Sequence, residues 1–168
     1  MIYYLARCSA GSKTRFLIFD RLGECLFSAE EVPGWFSFVI PRMVLLDRQG
    51  AILLEFRRTP TPTGWRCSAQ YGGSSIVQVR RRADGSVASL RTKEGHWRVL
   101  GDPRTGEYEL CSNGETVLRC SHCRTPQGRE AGMLEIFTRT QSSAALAAAV
   151  ILAELPLLRT PVAVLNGQ

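Results

Sequence analysis

The stretch Ser142-Ser-Ala-Ala-Leu-Ala-Ala-Ala-Val-Ile-Leu-Ala-Glu-Leu155 sets the fold of this chain. Serine at its start is a good N-cap, strong helix formers follow, and Pro156 ends the pattern, which predicts a helix over about residues 143–155. From Ala144 to Ala153 apolar residues occupy every side of this helix, so it has no face suited to water. A bilayer span needs about 20 apolar residues, and this run is too short. We therefore expect the helix to lie inside the protein.

Most of the remaining chain repeats a pattern that predicts β-hairpins. The segments 15–27 and 42–54 each contain an apolar run, the tetrapeptide Asp-Arg-x-Gly and a second apolar run. Aspartate at the start of such a turn accepts hydrogen bonds from the backbone ahead of it. Glycine at the end adopts the left-handed conformation that lets the chain enter the next strand. We therefore expect turns at Asp20–Gly23 and Asp47–Gly50, with positive φ at both glycines.

The candidate strands are numerous enough to require closure of the sheet. They cover residues 2–8, 15–19, 25–28, 35–39, 42–46, 51–57, 66–70, 75–81, 87–91, 96–100, 107–110, 116–121 and 133–138. A flat sheet of that width would expose its edges, so the strands must form a barrel or a sandwich. The proline-containing loop 59–64 is expected to cross between two halves of the barrel.

An interior helix favours the barrel over the sandwich. We therefore expect one mainly β domain over residues 1–168: a closed antiparallel barrel of about twelve strands that encloses one hydrophobic C-terminal helix, followed by a short tail at 159–168.

Composition and cysteine content restrict the class of protein. The 168 residues are 45% hydrophobic and 21% charged, as in soluble globular domains and unlike disordered chains or membrane-embedded bundles. The first residues lack the basic and apolar regions of a signal peptide. We therefore expect a cytoplasmic protein, in solution or peripheral to a membrane, whose six cysteines are reduced.

The cysteines and histidines give little support for metal binding or catalysis. Cys111, Cys120, His122 and Cys123 could supply four zinc ligands, but the adjacency of His122 and Cys123 restricts both from reaching one ion. A second Cys-x-x-Cys pair is absent from the sequence. Strand alternation turns His96 towards solvent, which does not favour a catalytic role. We therefore expect no catalytic residue, metal or cofactor, and a chain that is not an enzyme.

Arginine dominates the basic residues. The net charge is +6, and 19 of the 21 basic residues are arginine. A guanidinium group holds phosphate or carboxylate by two hydrogen bonds, which suits an anionic partner. Strand alternation places Arg80 and Arg82 on one face and leaves Arg81 on the other. If neighbouring strand ends meet, one anion site would contain Arg57, Arg58, Arg66, Arg80 and Arg82. The alternative is a solvated basic edge that limits strand pairing.

Two classes of function are compatible with these residues. The first is a non-enzymatic module that binds anionic phospholipid, or another phosphorylated partner, through the arginines. The second is a scaffold or regulatory protein that contacts another protein through a strand edge or through Trp35-Phe36. The sequence shows no stacking platform for bases, so no specific nucleic-acid partner is expected. The oligomeric state stays open.

The hairpins with Asp-x-x-Gly turns, followed by one very hydrophobic helix, resemble the tubby C-terminal-like superfamily, especially its LURP-one-related and phospholipid-scramblase-like branches. The resemblance extends from Ile2 to Leu158. It implies a twelve-stranded barrel around a central hydrophobic helix and, by fold analogy, phosphoinositide binding. The chain differs in its tail, and it has neither a cysteine cluster suited to multiple palmitoylation nor a recognisable scramblase-like calcium segment. The resemblance therefore does not imply lipid scrambling.

Overall fold

The structure, a computed structural model, describes residues 1–9, 11–33 and 42–154. Twelve strands and one helix follow one another in this part of the chain. They are β1 (Ile2–Arg7), β2 (Thr14–Phe19), β3 (Cys25–Glu31), β4 (Arg42–Leu46), β5 (Ile52–Thr61), β6 (Gly64–Tyr71), β7 (Ser74–Arg82), β8 (Val87–Thr92), β9 (Gly95–Asp102), β10 (Glu107–Ser112), β11 (Glu115–Arg124), β12 (Glu130–Ile136) and α1 (Ser142–Ala153).

The strands form one closed antiparallel barrel. Each strand pairs with its neighbours in sequence, and β1 pairs with β12, where Ile2 lies opposite Glu135. Closure leaves no row of unpaired backbone groups along a sheet edge. The barrel predicted from the hairpin pattern is therefore confirmed. The candidate strand at 35–39 lies outside the described residues.

The helix α1 occupies the barrel interior. All residues from Ala145 to Leu152 are buried, and the helix packs mainly against β7, β6, β12 and β11. Ala148 and Ala149 have no exposed surface, so neither position has room for a larger side chain without displacement of the wall. The predicted interior helix is confirmed. In the part of the chain that the structure describes, no helix is long and apolar enough to cross a membrane.

Both Asp-Arg-x-Gly segments form the expected turns. Oδ1 of Asp20 accepts hydrogen bonds of 2.9 Å from the backbone N–H groups two and four residues ahead, and Oδ1 of Asp47 does the same. Gly23 and Gly50 follow with φ of +82° and +81°. The repeat in the sequence therefore corresponds to a repeated turn geometry.

The prediction for the proline-containing loop is wrong. Because β5 continues to Thr61 and β6 begins at Gly64, residues 59–64 belong to a hairpin and do not cross between two halves of the barrel. In the described residues β4 pairs with β5 only as far as Arg57. Beyond that point β5 is flanked on one side by β6, and such an edge setting tolerates Pro60.

The predicted ends of the helix also need correction. Gln141, not Ser142, holds the N-cap position, and it makes no capping hydrogen bond with its side chain. Ser142 is the first helical residue. Its hydroxyl group donates to the backbone oxygen of Arg139 (3.2 Å) and does not cap a backbone N–H. The helix ends at Ala153, and residue 155 and the tail lie outside the described residues.

Candidate functional site

Six exposed arginines lie on the outer surface of β5 to β9. Arg66 on β6 is directly opposite Arg80 on β7, and Arg91 on β8 is opposite His96 on β9. Side chains at directly opposite positions of an antiparallel pair have Cβ atoms about 5 Å apart. We call this surface the basic face; its residues are Arg57, Arg66, Arg80, Arg82, Arg91 and Arg98.

Acidic residues scarcely offset the basic face. Between Arg57 and Arg98 the sequence contains only Asp84 and Glu94 as acidic residues. Arg57 contacts Glu55, with its Nη2 3.6 Å from Oε2 of that residue, and Arg82 interacts electrostatically with Asp84. This surface therefore has a locally positive potential that favours an anionic partner.

The pair formed by Arg66 and Arg80 is electrostatically unfavourable by itself. Like charges at directly opposite positions of two strands destabilise the sheet. Both side chains are exposed, and no ion pair of the described residues includes either of them. A phosphate between them would convert this repulsion into two charge-assisted interactions. The opposed positions of Arg66 and Arg80 therefore favour an oxyanion between the two side chains.

The structure brings together four of the five predicted anion-site residues and excludes Arg58. Arg58 lies two residues after the buried Phe56 on β5, so both side chains point into the barrel. Its Cζ atom is 4.6 Å from the centroid of the Trp65 ring. The prediction that placed Arg58 with the surface arginines is wrong because β5 continues past it, and alternation along the strand turns it inward.

Arg81 points into the barrel, as the alternation predicts, and holds the end of the helix. The residue is 2% exposed, and its Nη2 donates to the backbone oxygen of Ile151 in the last turn of α1. Burial lowers the pKa of this guanidinium group. A cation at this end of a helix is stabilised by the helix dipole. Arg7 on β1 acts similarly, since its Nη2 donates to the backbone oxygen of Ala153 (2.6 Å).

The zinc candidates do not converge in the structure. Cys120 is buried opposite Tyr108, and burial raises the pKa of its thiol to about 11. His122 is exposed, and its Nε2 lies 2.5 Å from Oε2 of Glu130. Within residues 1–9, 11–33 and 42–154, no group of three or more His, Cys, Asp or Glu side chains could hold a metal ion.

Sequence reasoning missed two members of the basic face, Arg91 and Arg98. Neither belongs to a run of basic residues, so neither attracts attention in the sequence. The short hairpin between β8 and β9 was the available signal, because it places Arg91 opposite His96, which strand alternation predicts to face solvent. The predicted protein contact at Trp35-Phe36 lies outside the described residues.

Comparison with known proteins bears on the fold. No protein-family profile matches the sequence. No curated protein sequence matches it either. The X-ray structure of a protein from Arabidopsis thaliana matches with a TM-score of 0.64, over 92% of this chain and 90% of that chain, at 18% sequence identity. At this identity the similarity shows a shared fold, which is the mostly β barrel with its single helix.

Proposed function

We propose that this chain is a non-enzymatic module that binds anionic phospholipid headgroups through the basic face, at the cytoplasmic surface of a membrane. The observation that carries the proposal is the exposed pair Arg66 and Arg80, two arginines at directly opposite strand positions without an acidic partner in the described ion pairs. A bound phosphate supplies the missing negative charge.

The extent of the basic face suits several phosphates at once. Five adjacent strands at about 4.8 Å spacing give a surface about 20 Å across. Each arginine close to an anionic membrane contributes attraction that adds to that of its neighbours. Glu55 and Asp84 offset the charges of Arg57 and Arg82 in part, and the charges of Arg66 and Arg80 in the middle of the face add to the attraction.

We also propose membership of the tubby C-terminal-like superfamily. The support is the combination of a closed twelve-stranded barrel with one buried helix, which is the architecture that the sequence resemblance implies. Phosphoinositides are then the first headgroups to test, because the resemblance implies them by fold analogy.

Sedimentation of the full chain with vesicles tests the proposal. The vesicles contain phosphatidylcholine alone, or phosphatidylcholine with either phosphatidylserine or phosphatidylinositol bisphosphate. We expect binding to the two anionic compositions only. Binding should weaken as salt is added, because the Debye length falls from about 8 Å at physiological ionic strength to about 3 Å at 1 M.

The double variant Arg66→Gln/Arg80→Gln locates the site. Each basic residue near an anionic surface contributes about 1 kcal/mol, so the variant should bind about 30-fold more weakly while its circular dichroism spectrum stays unchanged. Equal binding by the variant would remove the pair from the site. If the parent chain bound no anionic vesicle, the proposal would be wrong and a protein partner would become the leading alternative.

A further inference from the structure

A cleft of about 400 Å³ opens where the C-terminal end of α1 meets the barrel wall. It lies beside β1, β11 and β12 and under the turn 103–106. Its wall is largely apolar and includes Leu5, Phe16, Ala131 and Ala153. This volume falls within the range of about 300 to 1,000 Å³ that is typical of small-molecule sites.

Some of the charged side chains around the cleft are already paired with a side chain of opposite charge. Arg104 makes a two-pronged contact with Asp102, at 2.9 Å from Nε to Oδ1 and 2.9 Å from Nη2 to Oδ2. His122 is in contact with Glu130 at 2.5 Å. Glu130 also lies 3.5 Å from Nε of Arg124, so both carboxylates on this side of the cleft have an arginine beside them.

Arg7 is the exception among these groups. Its guanidinium group has five N–H donors, and its one hydrogen bond among the described residues goes to the backbone oxygen of Ala153. The described ion pairs do not include it. Its Cζ atom lies 5.9 Å from the centroid of the Phe16 ring, so this charge stands next to the apolar wall. Burial lowers the pKa of Arg7, and the nearby charge of Glu154 opposes that shift. A guanidinium group with N–H donors left over beside an apolar surface matches a ligand with one acidic and one apolar end.

We propose that this cleft binds a small organic carboxylate with an apolar body, of the size of a medium-chain fatty acid. The carboxylate pairs with Arg7, and the hydrocarbon chain lies against Leu5, Phe16 and Ala131. This site is separate from the basic face and does not depend on the proposed function.

Calorimetric titration of the full chain tests the site with decanoate, hexanoate and decanol, each below its limit of aggregation. Each methylene group that leaves water improves affinity about fourfold, so decanoate should bind far more tightly than hexanoate. Decanol lacks the charge and should bind at least about tenfold more weakly than decanoate. If decanol bound as tightly as decanoate, or if decanoate did not bind, the proposal would be overturned.

Two variants locate the bound carboxylate. Arg7→Gln should weaken decanoate binding about tenfold or more and leave decanol binding unchanged. Thr105→Trp places a large side chain at the exposed turn over the cleft and should block both ligands without a change in any cleft charge. If both variants bound decanoate as the parent does, the ligand would lie elsewhere.

The same variants separate this proposal from the phospholipid proposal. Arg66→Gln/Arg80→Gln should bind decanoate normally, and Thr105→Trp should bind anionic vesicles normally. Loss of decanoate binding in the first variant, with normal binding in Arg7→Gln, would place the carboxylate on the basic face and contradict the cleft.

Discussion

Arg80 and Arg81 are neighbours in sequence, yet they lie on opposite sides of the barrel wall. Arg80 is exposed beside Arg66 and Arg82, whereas Arg81 is buried and contacts the last turn of α1. The period of two along β7 produces this difference. The run Arg80-Arg81-Arg82 therefore contributes two side chains to the outer surface and one to the barrel interior, so its three charges do not form one site.

The two groups of arginines also differ in what surrounds them. The outer group faces water, and among the described residues its acidic neighbours are Glu55, which contacts Arg57, and Asp84, which interacts electrostatically with Arg82. The inner group, Arg58 and Arg81, faces a helix end, where carbonyl oxygens and the carboxyl group of Glu154 lie. Burial raises the pKa of Glu154, while Arg58 and its neighbours oppose that shift. Arg81 therefore holds the end of the helix and Arg58 lies near Glu154, whereas the outer arginines face solvent.

The largest effect on folding is expected from a substitution inside the barrel, at Val150. This residue has no exposed surface, so Val150→Asp would bury a carboxylate without a partner, and we expect no cooperative folding. Circular dichroism and thermal unfolding measure the outcome. Ser143→Asp is the matched control, because it adds the same charge to an exposed position in the first turn, where the helix dipole favours it. A folded Val150→Asp protein would contradict the interior helix.

The next largest effect is a difference in stability between variants on the two sides of β7. Arg81→Ala removes a long buried side chain and its contact with α1, and we expect the free energy of unfolding to fall by about 2 kcal/mol or more. Arg80→Ala should leave the unfolding midpoint in urea unchanged or raise it slightly, because that side chain is exposed and its removal relieves the repulsion with Arg66. Arg81→Met should recover part of the loss through packing. Equal midpoints for the two alanine variants would show that the inner arginine does not hold the helix.

A smaller effect is expected in the two repeated turns. A Cβ atom at Gly50 would meet no other atom within 4 Å, so Gly50→Ala tests the positive φ alone and should cost about 1 kcal/mol. At Gly23 the Cβ atom would come within 2.6 Å of Nε2 of Gln127, so Gly23→Ala should cost at least as much. Asparagine tolerates this conformation, and Gly50→Asn should be milder. An unchanged midpoint for Gly50→Ala would show that the turn does not need glycine.

The sequence predicted what depends on local pattern. The turns follow from aspartate and glycine chemistry, and the interior helix follows from an apolar run too short for a bilayer. Alternation correctly separated Arg80 and Arg82 from Arg81. The same rule would have turned Arg58 inward if β5 had been extended past the proline, but Pro60 suggested an earlier end to the strand.

Features that depend on distant contacts were not predictable in this way. Arg91 and Arg98 join the basic face through the pairing of separate strands. The cleft near Arg7 forms where β1, at the start of the chain, meets β12 and the end of α1, more than 100 residues later. Alternation along a strand predicts which face of the sheet a side chain occupies, but it does not predict which other strands lie next to that strand.

The most direct test of a binding site on the basic face compares how strongly two double variants bind anionic vesicles. Arg66→Gln/Arg80→Gln and Arg48→Gln/Arg119→Gln each lower the net charge by two. Arg48 and Arg119 are paired with Glu24 and Glu109 at 2.6 and 2.8 Å. We expect about 30-fold weaker binding for the first variant and little change for the second. Equal losses would show that binding follows the total charge of the protein, which would contradict a site on the basic face.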